Sequence, residues 1–315
     1  MSVVIASQFE PAFNDGLRAL PFRPTVLDAP VDQPWAAADV ADVLLVRPSP
    51  AWRTPPAHDR PAAWPGKLRW IFTGSAGVDH YPRWMLDAPL VSCGRGVASE
   101  EIADYVISAI YHQAKNLEAV TARAPAEWNY AGLGRIAGTT LGIAGLGAIG
   151  SAVARRALAL GMRVTAARRR ALPSPVDGVD LLGDLDAVVA SADHLLLALP
   201  ATDATQRLFD ARLLSRARPH AHLINIARGA ILDQAALIDA LDAGRLGFAT
   251  LDVTDPEPLP AGHPLWTHPK VRLTPHVSSN FKHVRDVMFD KIARDLQRLM
   301  AGELPGDLVD AREGY

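Results

Sequence analysis

The strongest chemical signal in the chain is Gly145-Leu146-Gly147-Ala148-Ile149-Gly150, which follows the apolar run LGIA at 141–144 and opens the run SAVARRALAL that ends at Gly161. Between a strand and a helix, glycines at this spacing suit a pyrophosphate. Gly145 makes the tight turn, Gly147 lets phosphates approach the backbone, and Gly150 lets the helix pack on the strand. The N–H groups around Ala148 and Ile149, left unsatisfied at a helix start, favour negative charge. A dinucleotide held this way ordinarily meets an acidic residue about 20 positions further on, which accepts from the adenosine ribose. Here the strand MRVTAA runs into Arg168, Arg169 and Arg170 instead. Guanidiniums offer a 2′-phosphate bidentate hydrogen bonds, so NADP(H) is favoured over NAD(H), with Arg168 and Arg169 nearest the strand end. The other reading of these arginines is a solvated basic loop.

Downstream, three segments each present a charged or titratable group: NIARG with Arg228, LDVTDPEPLP with Asp252 and Glu257, and TPHVSS with His276. A guanidinium matches a planar carboxylate with two parallel hydrogen bonds, which a lysine cannot supply. An imidazole changes charge near neutral pH, so it can give and take a proton reversibly, and a carboxylate beside it stabilises its charged form. Taken singly, each of these residues is equally well a structural or solvated group.

Elements must bring these groups to one place. Short apolar runs alternate with helix-period segments almost throughout: VVIAS at 3, VLLVR at 43, WIFT at 70, LGIAG at 141, HLLLALP at 194, HLINIARG at 222, GFATLDV at 247 and VRLTPH at 271. That alternation predicts parallel sheets covered by helices on both faces, whose carboxyl edges are where such folds bind ligands. From Ser99 to Val120 the spacing predicts a long helix with Ile102, Val106, Ala109, Ile110, Leu117 and Val120 on its buried face. A second, from Lys282 to Met300, buries Val284, Val287, Met288, Ile292, Leu296 and Leu299. Proline and glycine crowd residues 48–66, which reads as a surface loop.

At 315 residues, with 49% hydrophobic and 21% charged side chains, the chain has material for two packed cores and is no disordered tail. A net charge of −2 without long runs of one sign supplies no field to draw in nucleic acid or an anionic membrane. Cys93 stands alone, so neither an internal disulfide nor a thiolate metal site is expected, and a reducing, cytoplasmic setting is. The start reads as a first strand and not as an export signal, and no apolar stretch reaches membrane-spanning length.

The ordered set GSAGVDH at 74, SEEIADYV at 99, GLGAIG at 145, LPATDATQRL at 199, NIARGAILD at 225, LDVTDPEPLPAGHPLW at 251 and LTPHVSS at 273 resembles the D-isomer-specific 2-hydroxyacid dehydrogenase family. The closest subgroup in appearance is the NADPH-dependent glyoxylate/hydroxypyruvate reductases. The resemblance implies an α/β enzyme of two Rossmann-like or flavodoxin-like domains with a cleft between them. Residues 1–97, completed by 283–315, would form the substrate domain, and 98–282 the dinucleotide-binding domain. It puts Arg228 on the substrate's carboxylate and carbonyl, makes His276 the proton donor and acceptor, and makes Glu257 the partner of His276. Asp252 would meet the nicotinamide carboxamide or, on the bland reading, cap a turn. Leu199, Pro200, Thr205 and Ala227 would line the cofactor, and the N–H groups of Ala76, Gly77 and Val78 would hold the substrate carboxylate. Trp52 would either close over a small substrate or pack on its own loop. The segment 121–135 would extend across a second copy of the chain, with Trp128, Tyr130 and Leu133 as anchors of a homodimer. The family also contains dinucleotide-sensing corepressors and enzymes acting on other small anions, so hydride transfer to a small 2-ketoacid stands beside these alternatives.

Overall fold

The computed structural model describes residues 3–53, 59–128, 132–169 and 172–315, with Phe281 described by its backbone alone. The chain forms two compact units, Met1–Val97 with Phe281–Tyr315, and Ala98–Asn280. The first holds strands β1 (Val4–Ser7), β2 (Thr25–Asp28), β3 (Val43–Val46), β4 (Trp70–Thr73) and β5 (Val91–Cys93), with helix α1 (Pro11–Arg18) between β1 and β2. All pairings are parallel, in the order β2-β1-β3-β4-β5. The interior strands VLLV and WIFT are buried on both faces, as continuous apolar runs in a parallel sheet must be. Edge strand β2 buries one residue of four, and β5 is three residues long, so neither carries a pattern that sequence periodicity detects.

One face of this sheet, carrying Ala6, Leu44, Val46 and Ile71, is covered by indoles from short 3₁₀ turns: Trp35, Trp52 and Trp84. Trp52 is therefore no lid. It is 2% exposed, its Nε1 donates to Gln8 Oε1 at 3.0 Å, and its ring meets Trp35 and Tyr81, each at 5.4 Å between centroids. The proline-rich stretch thus contributes core through Trp52 and Trp64, both buried, where a surface loop was expected.

The Ala98–Asn280 unit runs α2 (Ser99–Lys115), β6 (Thr140–Ala144), α3 (Ala148–Ala159), β7 (Arg163–Ala167), β8 (Val179–Leu181), α4 (Leu185–Ser191), β9 (His194–Leu197), α5 (Ala211–Leu214), β10 (His222–Asn225), α6 (Gln234–Asp242), β11 (Phe248–Leu251) and β12 (Val271–Leu273). Its seven strands are parallel, in the order β12-β11-β10-β9-β6-β7-β8. Alternate residues serve opposite faces. Leu195, Leu197, Leu223 and Leu251 pack with Val188, Leu213 and Leu237 from α4, α5 and α6. Leu196, Ile224, Leu141 and Ile143 pack with Val106, Ile110 and Val153 from α2 and α3. The sheet order reverses direction between β6 and β9, where such sheets leave a crevice at their carboxyl ends.

Helix α2 stops short of the expected Val120. Asn116 takes φ = +35°, and its N–H closes on His112 O at 2.8 Å, a left-handed cap that asparagine tolerates. Leu117, 65% exposed, and Val120 lie beyond it, outside the core. The last helix, α7 (Phe281–Met300), returns to the first unit, where Phe289 meets Phe13 of α1 edge-on. Val284, Met288, Ile292, Leu296 and Leu299 are buried, but Val287 is 53% exposed because it falls off the stripe that the i, i+4 steps define. Among the described residues no helix is long and apolar enough to cross a membrane.

Parallel register sets His194 of β9 beside His222 of β10. The rings meet at 5.6 Å between centroids, with Nδ1 atoms 3.4 Å apart, and His222 Nε2 lies 2.8 Å from Thr250 Oγ1. Burial lowers His194 to about 4 and holds His222 well below the usual imidazole value, so both rings are neutral in the fold. The unfolded chain binds protons on these rings from about pH 6.5 downward and the folded one does not. Stability is therefore full above pH 6.5 and lost as the pH falls toward 4, by about 3 kcal/mol for His194. Urea midpoints measured between pH 4.5 and 7.5 should fall with pH in the wild type and fall less steeply in His194→Phe. Equal slopes would show that this ring does not carry the effect.

Candidate active site

The glycine motif sits between β6 and α3 at the reversal of strand order, and its three glycines are constrained differently. Gly145 has φ = +99°, and a Cβ there would lie 2.5 Å from Ala198 O. A Cβ on Gly150 would lie 2.4 Å from Gly145 O, so the helix rests on the turn with no room for a side chain. Gly147 is the opposite: a Cβ there would have nothing within 4 Å. Ser151 is the first residue of α3 to bond back, to Gly147 O at 2.9 Å, and no side chain caps the helix. Among the described residues, the N–H groups of Ala148, Ile149 and Gly150 donate to no protein acceptor. Open space beside Gly147 and unpaired amides at a helix start fit a pyrophosphate.

Gly145 N donates to Ala167 O at 3.0 Å, which sets the end of β7 against the glycine turn and puts Arg168 directly after it. Arg168 is half-buried, with Nη1 donating to Pro173 O at 2.8 Å, while Arg169 is exposed and Arg170 lies outside the described residues. Leu199, past the end of β9, lies against the same turn: its Cδ2 would be 3.0 Å from a Cβ on Gly145. The Thr205 hydroxyl is used within its own loop, donating to Pro200 O at 2.7 Å and accepting from Thr202 N at 2.8 Å. It therefore shapes the segment beginning at Pro200.

Arg228 follows β10, Glu257 follows β11 and His276 follows β12, three adjacent strand ends. Asn225 stiffens the first loop: its Oδ1 accepts from Ala227 N and its Nδ2 donates to Arg228 O, both at 3.0 Å. Ala227 is buried. Arg228, half-buried, donates from Nη1 to Ala227 O at 2.8 Å. Gly229 touches the next loop so closely that a Cβ would lie 2.0 Å from Thr254 C. Gln234 clips that loop from α6, with Nε2 donating to Asp255 O at 2.6 Å and Oε1 accepting from Asp255 N at 3.2 Å. Asn225, Gly229 and Gln234 are structural supports that no spacing rule had singled out.

His276 Nδ1 lies 2.6 Å from Glu257 Oε1, with both side chains part-exposed. A carboxylate accepts only, so Nδ1 carries the hydrogen and Nε2 is left as the exchangeable atom. His276 takes φ = +55°, a conformation that costs a non-glycine residue strain. Asp252 is 1% exposed, and its carboxylate accepts from Thr274 Oγ1 at 2.6 Å and from Val277 N and Ser278 N at 2.9 Å. It is a buried cap of the turn that carries His276.

In the other unit, the segment after β4 carries Ala76, Gly77 and Val78. Ser75 Oγ donates to Gly77 O at 2.7 Å and Gly94 N donates to Ser75 O at 3.0 Å. Val78 is buried. Among the described residues, the N–H groups of these three donate to no protein acceptor, which suits an anion.

Residues 107–278 match the family described as D-isomer specific 2-hydroxyacid dehydrogenase, NAD binding domain. The chain is similar to the glyoxylate/hydroxypyruvate reductase A of Serratia proteamaculans (strain 568), with 31% identity over 290 residues, 84% of this chain and 91% of that one. Its fold is similar to that of a D-isomer specific 2-hydroxyacid dehydrogenase from Xanthobacter autotrophicus Py2 in complex with NADPH and MES, with a TM-score of 0.83, 28% identity and full coverage, 100%, of both chains. A further similar structure is an NADPH-dependent glyoxylate/hydroxypyruvate reductase from Sinorhizobium meliloti in complex with NADP and sulfate, with a TM-score of 0.80, 26% identity and 100% of both chains covered.

The glycines give separable outcomes. Gly147→Ala should leave thermal stability within about 0.5 kcal/mol, since nothing opposes the added methyl, while weakening NADPH binding about tenfold. Gly150→Ala should cost about 2 kcal/mol, because backbone must move. Thermal denaturation and fluorescence titration with NADPH measure both; equal stabilities for the two variants would contradict this packing.

Proposed function

Because the chain belongs to the D-isomer specific 2-hydroxyacid dehydrogenase family, we propose that it reduces small 2-ketoacids of the glyoxylate or hydroxypyruvate type with NADP(H), NAD(H) being the lesser cofactor. The observation that carries this reading is the 2.6 Å pairing of His276 with Glu257 on strand ends adjacent to that of Arg228. Glu257 holds the ring with Nδ1 protonated, and Nε2 then delivers a proton to the carbonyl oxygen as it becomes an alkoxide. In the reverse direction the neutral ring takes it back. Arg228 orients the substrate through its carboxylate, with the edge of the guanidinium anchored on Ala227 O. Relatives with dinucleotides bound, open space at Gly147 and unpaired amides at Ala148, Ile149 and Gly150 support the cofactor assignment, and the bound nicotinamide supplies the hydride. Arg168 beside the glycine turn, where an acid would receive the ribose of NAD, supports the 2′-phosphate form. Leu199, which lies against the glycine turn, and Pro200, Ala227 and Asp252, which follow the ends of β9, β10 and β11, are the residues we assign to the cofactor's lining. The amides of Ala76, Gly77 and Val78 suit a carboxylate equally well.

Initial rates with glyoxylate, hydroxypyruvate, pyruvate and a branched ketoacid, run with NADPH and NADH, test the reading. Efficiency with NADPH should exceed that with NADH at least about tenfold, and Arg168→Asp should erase the preference. His276→Asn should lose about a hundredfold or more. Inactivity over the whole panel would sink the assignment and favour a dinucleotide sensor or a different small anion.

The chain also acts, on our reading, as a homodimer in the cytoplasm. Trp128 is 78% exposed and Leu133 is exposed in the segment 121–135, and Leu117 and Val120 just before it are exposed as well, which supports a second copy as their cover. Tyr130 lies outside the described residues. The free, buried thiol of Cys93 fits a reducing compartment. Sedimentation at micromolar concentration should give twice the chain mass; a 33.8 kDa species would refute the dimer.

A further inference from the structure

We propose that Tyr105 and Thr274 are positioning residues for His276, acting through the buried carboxylate of Asp252; this rests on the reading of His276 as proton donor. His276 sits at φ = +55°, where a non-glycine residue stays only if its surroundings hold it. Its own N–H donates to Asp252 O at 2.9 Å and Thr274 O at 3.0 Å. The turn just beyond it hangs from the Asp252 side chain through the N–H groups of Val277 and Ser278. What orients that carboxylate is the Thr274 hydroxyl, 2.6 Å from Oδ1, which in turn lies 2.6 Å from Tyr105 Oη.

The direction of this chain follows from chemistry. An ionised carboxylate only accepts, so Thr274 must donate to Asp252, and Tyr105 must then donate to Thr274. Among the described residues no cation pairs with Asp252, so neutral donors alone decide where its oxygens point. Removing the Tyr105 hydroxyl frees the Thr274 rotor to turn away, and the cap of the 276–278 turn loosens.

Helix α2 grips the same segment a second time. Glu101 Oε2 accepts from Asn280 N at 3.0 Å, and Glu101 stands one helical turn before Tyr105 on the same face. The stretch 274–280 is thereby held at both ends by one rigid helix, with His276 between. Displacing the imidazole by a fraction of an ångström slows proton transfer without altering how Arg228 or the glycine turn binds.

The test uses the full chain as Tyr105→Phe, Thr274→Val and Thr274→Ser, with two readouts. Hydrogen exchange of the Val277 and Ser278 amides, measured without substrate, should quicken about tenfold in Tyr105→Phe and Thr274→Val and stay at the wild-type rate in Thr274→Ser. With NADPH and glyoxylate, kcat should fall about tenfold in the first two while KM for NADPH stays within about twofold, and Thr274→Ser should keep its kcat. Wild-type exchange in Tyr105→Phe, a change in KM with kcat intact, or a Thr274→Ser as impaired as Thr274→Val would overturn the proposal. If the wild type reduces no 2-ketoacid, the functional reading fails, and the exchange arm still decides whether Tyr105 holds the turn. If Thr274→Val does not fold, Tyr105→Phe, which deletes one oxygen from a half-buried ring, decides alone.

Discussion

Parallel strands all finish on one edge of their sheet, and in the Ala98–Asn280 unit that constraint does the assembling. Gly145, Arg168, Leu199, Arg228, Glu257 and His276 each follow the carboxyl end of a different strand. They are far apart in sequence yet adjacent in order across β12-β11-β10-β9-β6-β7, so a register of backbone hydrogen bonds brings an imidazole against a carboxylate and sets the arginine at the end of the next strand. The reversal of order between β6 and β9 opens the edge at the point where the glycine turn presents its unpaired amides. Were one strand antiparallel, the residue that follows it would emerge at the opposite end of the sheet.

Strand ends place a residue to within a loop's freedom, and chemistry needs closer tolerances. The loops in this protein are stiffened mostly by neutral hydrogen bonds from side chains to backbone. Asn225 ties the loop of Arg228, Gln234 clips the loop of Glu257, Asp252 caps the turn of His276, and Thr205 closes the loop that starts at Pro200. Gly229 lets two of these loops touch. Such bonds fix the loop backbone at short range, three of them from uncharged side chains and the fourth from the Asp252 carboxylate. The exposed ion pairs, for example Arg212 with Asp186, add little.

The Met1–Val97 unit solves a different packing problem. Where a doubly wound sheet ordinarily lays a helix on its face, short 3₁₀ turns bring in Trp35, Trp52 and Trp84, whose rings pack at 5.4 to 6.5 Å from one another. Large flat side chains cover the sheet that a helix would cover, and they leave the backbone of those turns free to follow an irregular path. This is why a stretch rich in proline and glycine, which reads as a solvent loop, carries buried core.

How much was legible in the residues alone varied with how local the physics was. The glycine turn, the arginines in place of an acid, and the order of Arg228, Glu257 and His276 are written in residue type and spacing, because a turn, a helix start and a strand end are local events. Interior strands announced themselves as apolar runs. Edge strands β2, β5 and β8 did not, β5 being only three residues long and β2 and β8 short and largely exposed, and helix α2 ended at Asn116 because a left-handed residue intervened where apolar spacing still continued. The partners of buried polar groups were not legible at all. Nothing in the sequence says that Tyr105 meets Thr274, 169 positions away, or that Asp252 spends both oxygens on a turn, since a hydrogen bond has a range of about 3 Å and no sequence signature. By itself the sequence determined which chemical groups are present and at which strand ends they stand. Only the tertiary structure decided which of them are held still, because that depends on contacts the chain makes after it has folded back on itself.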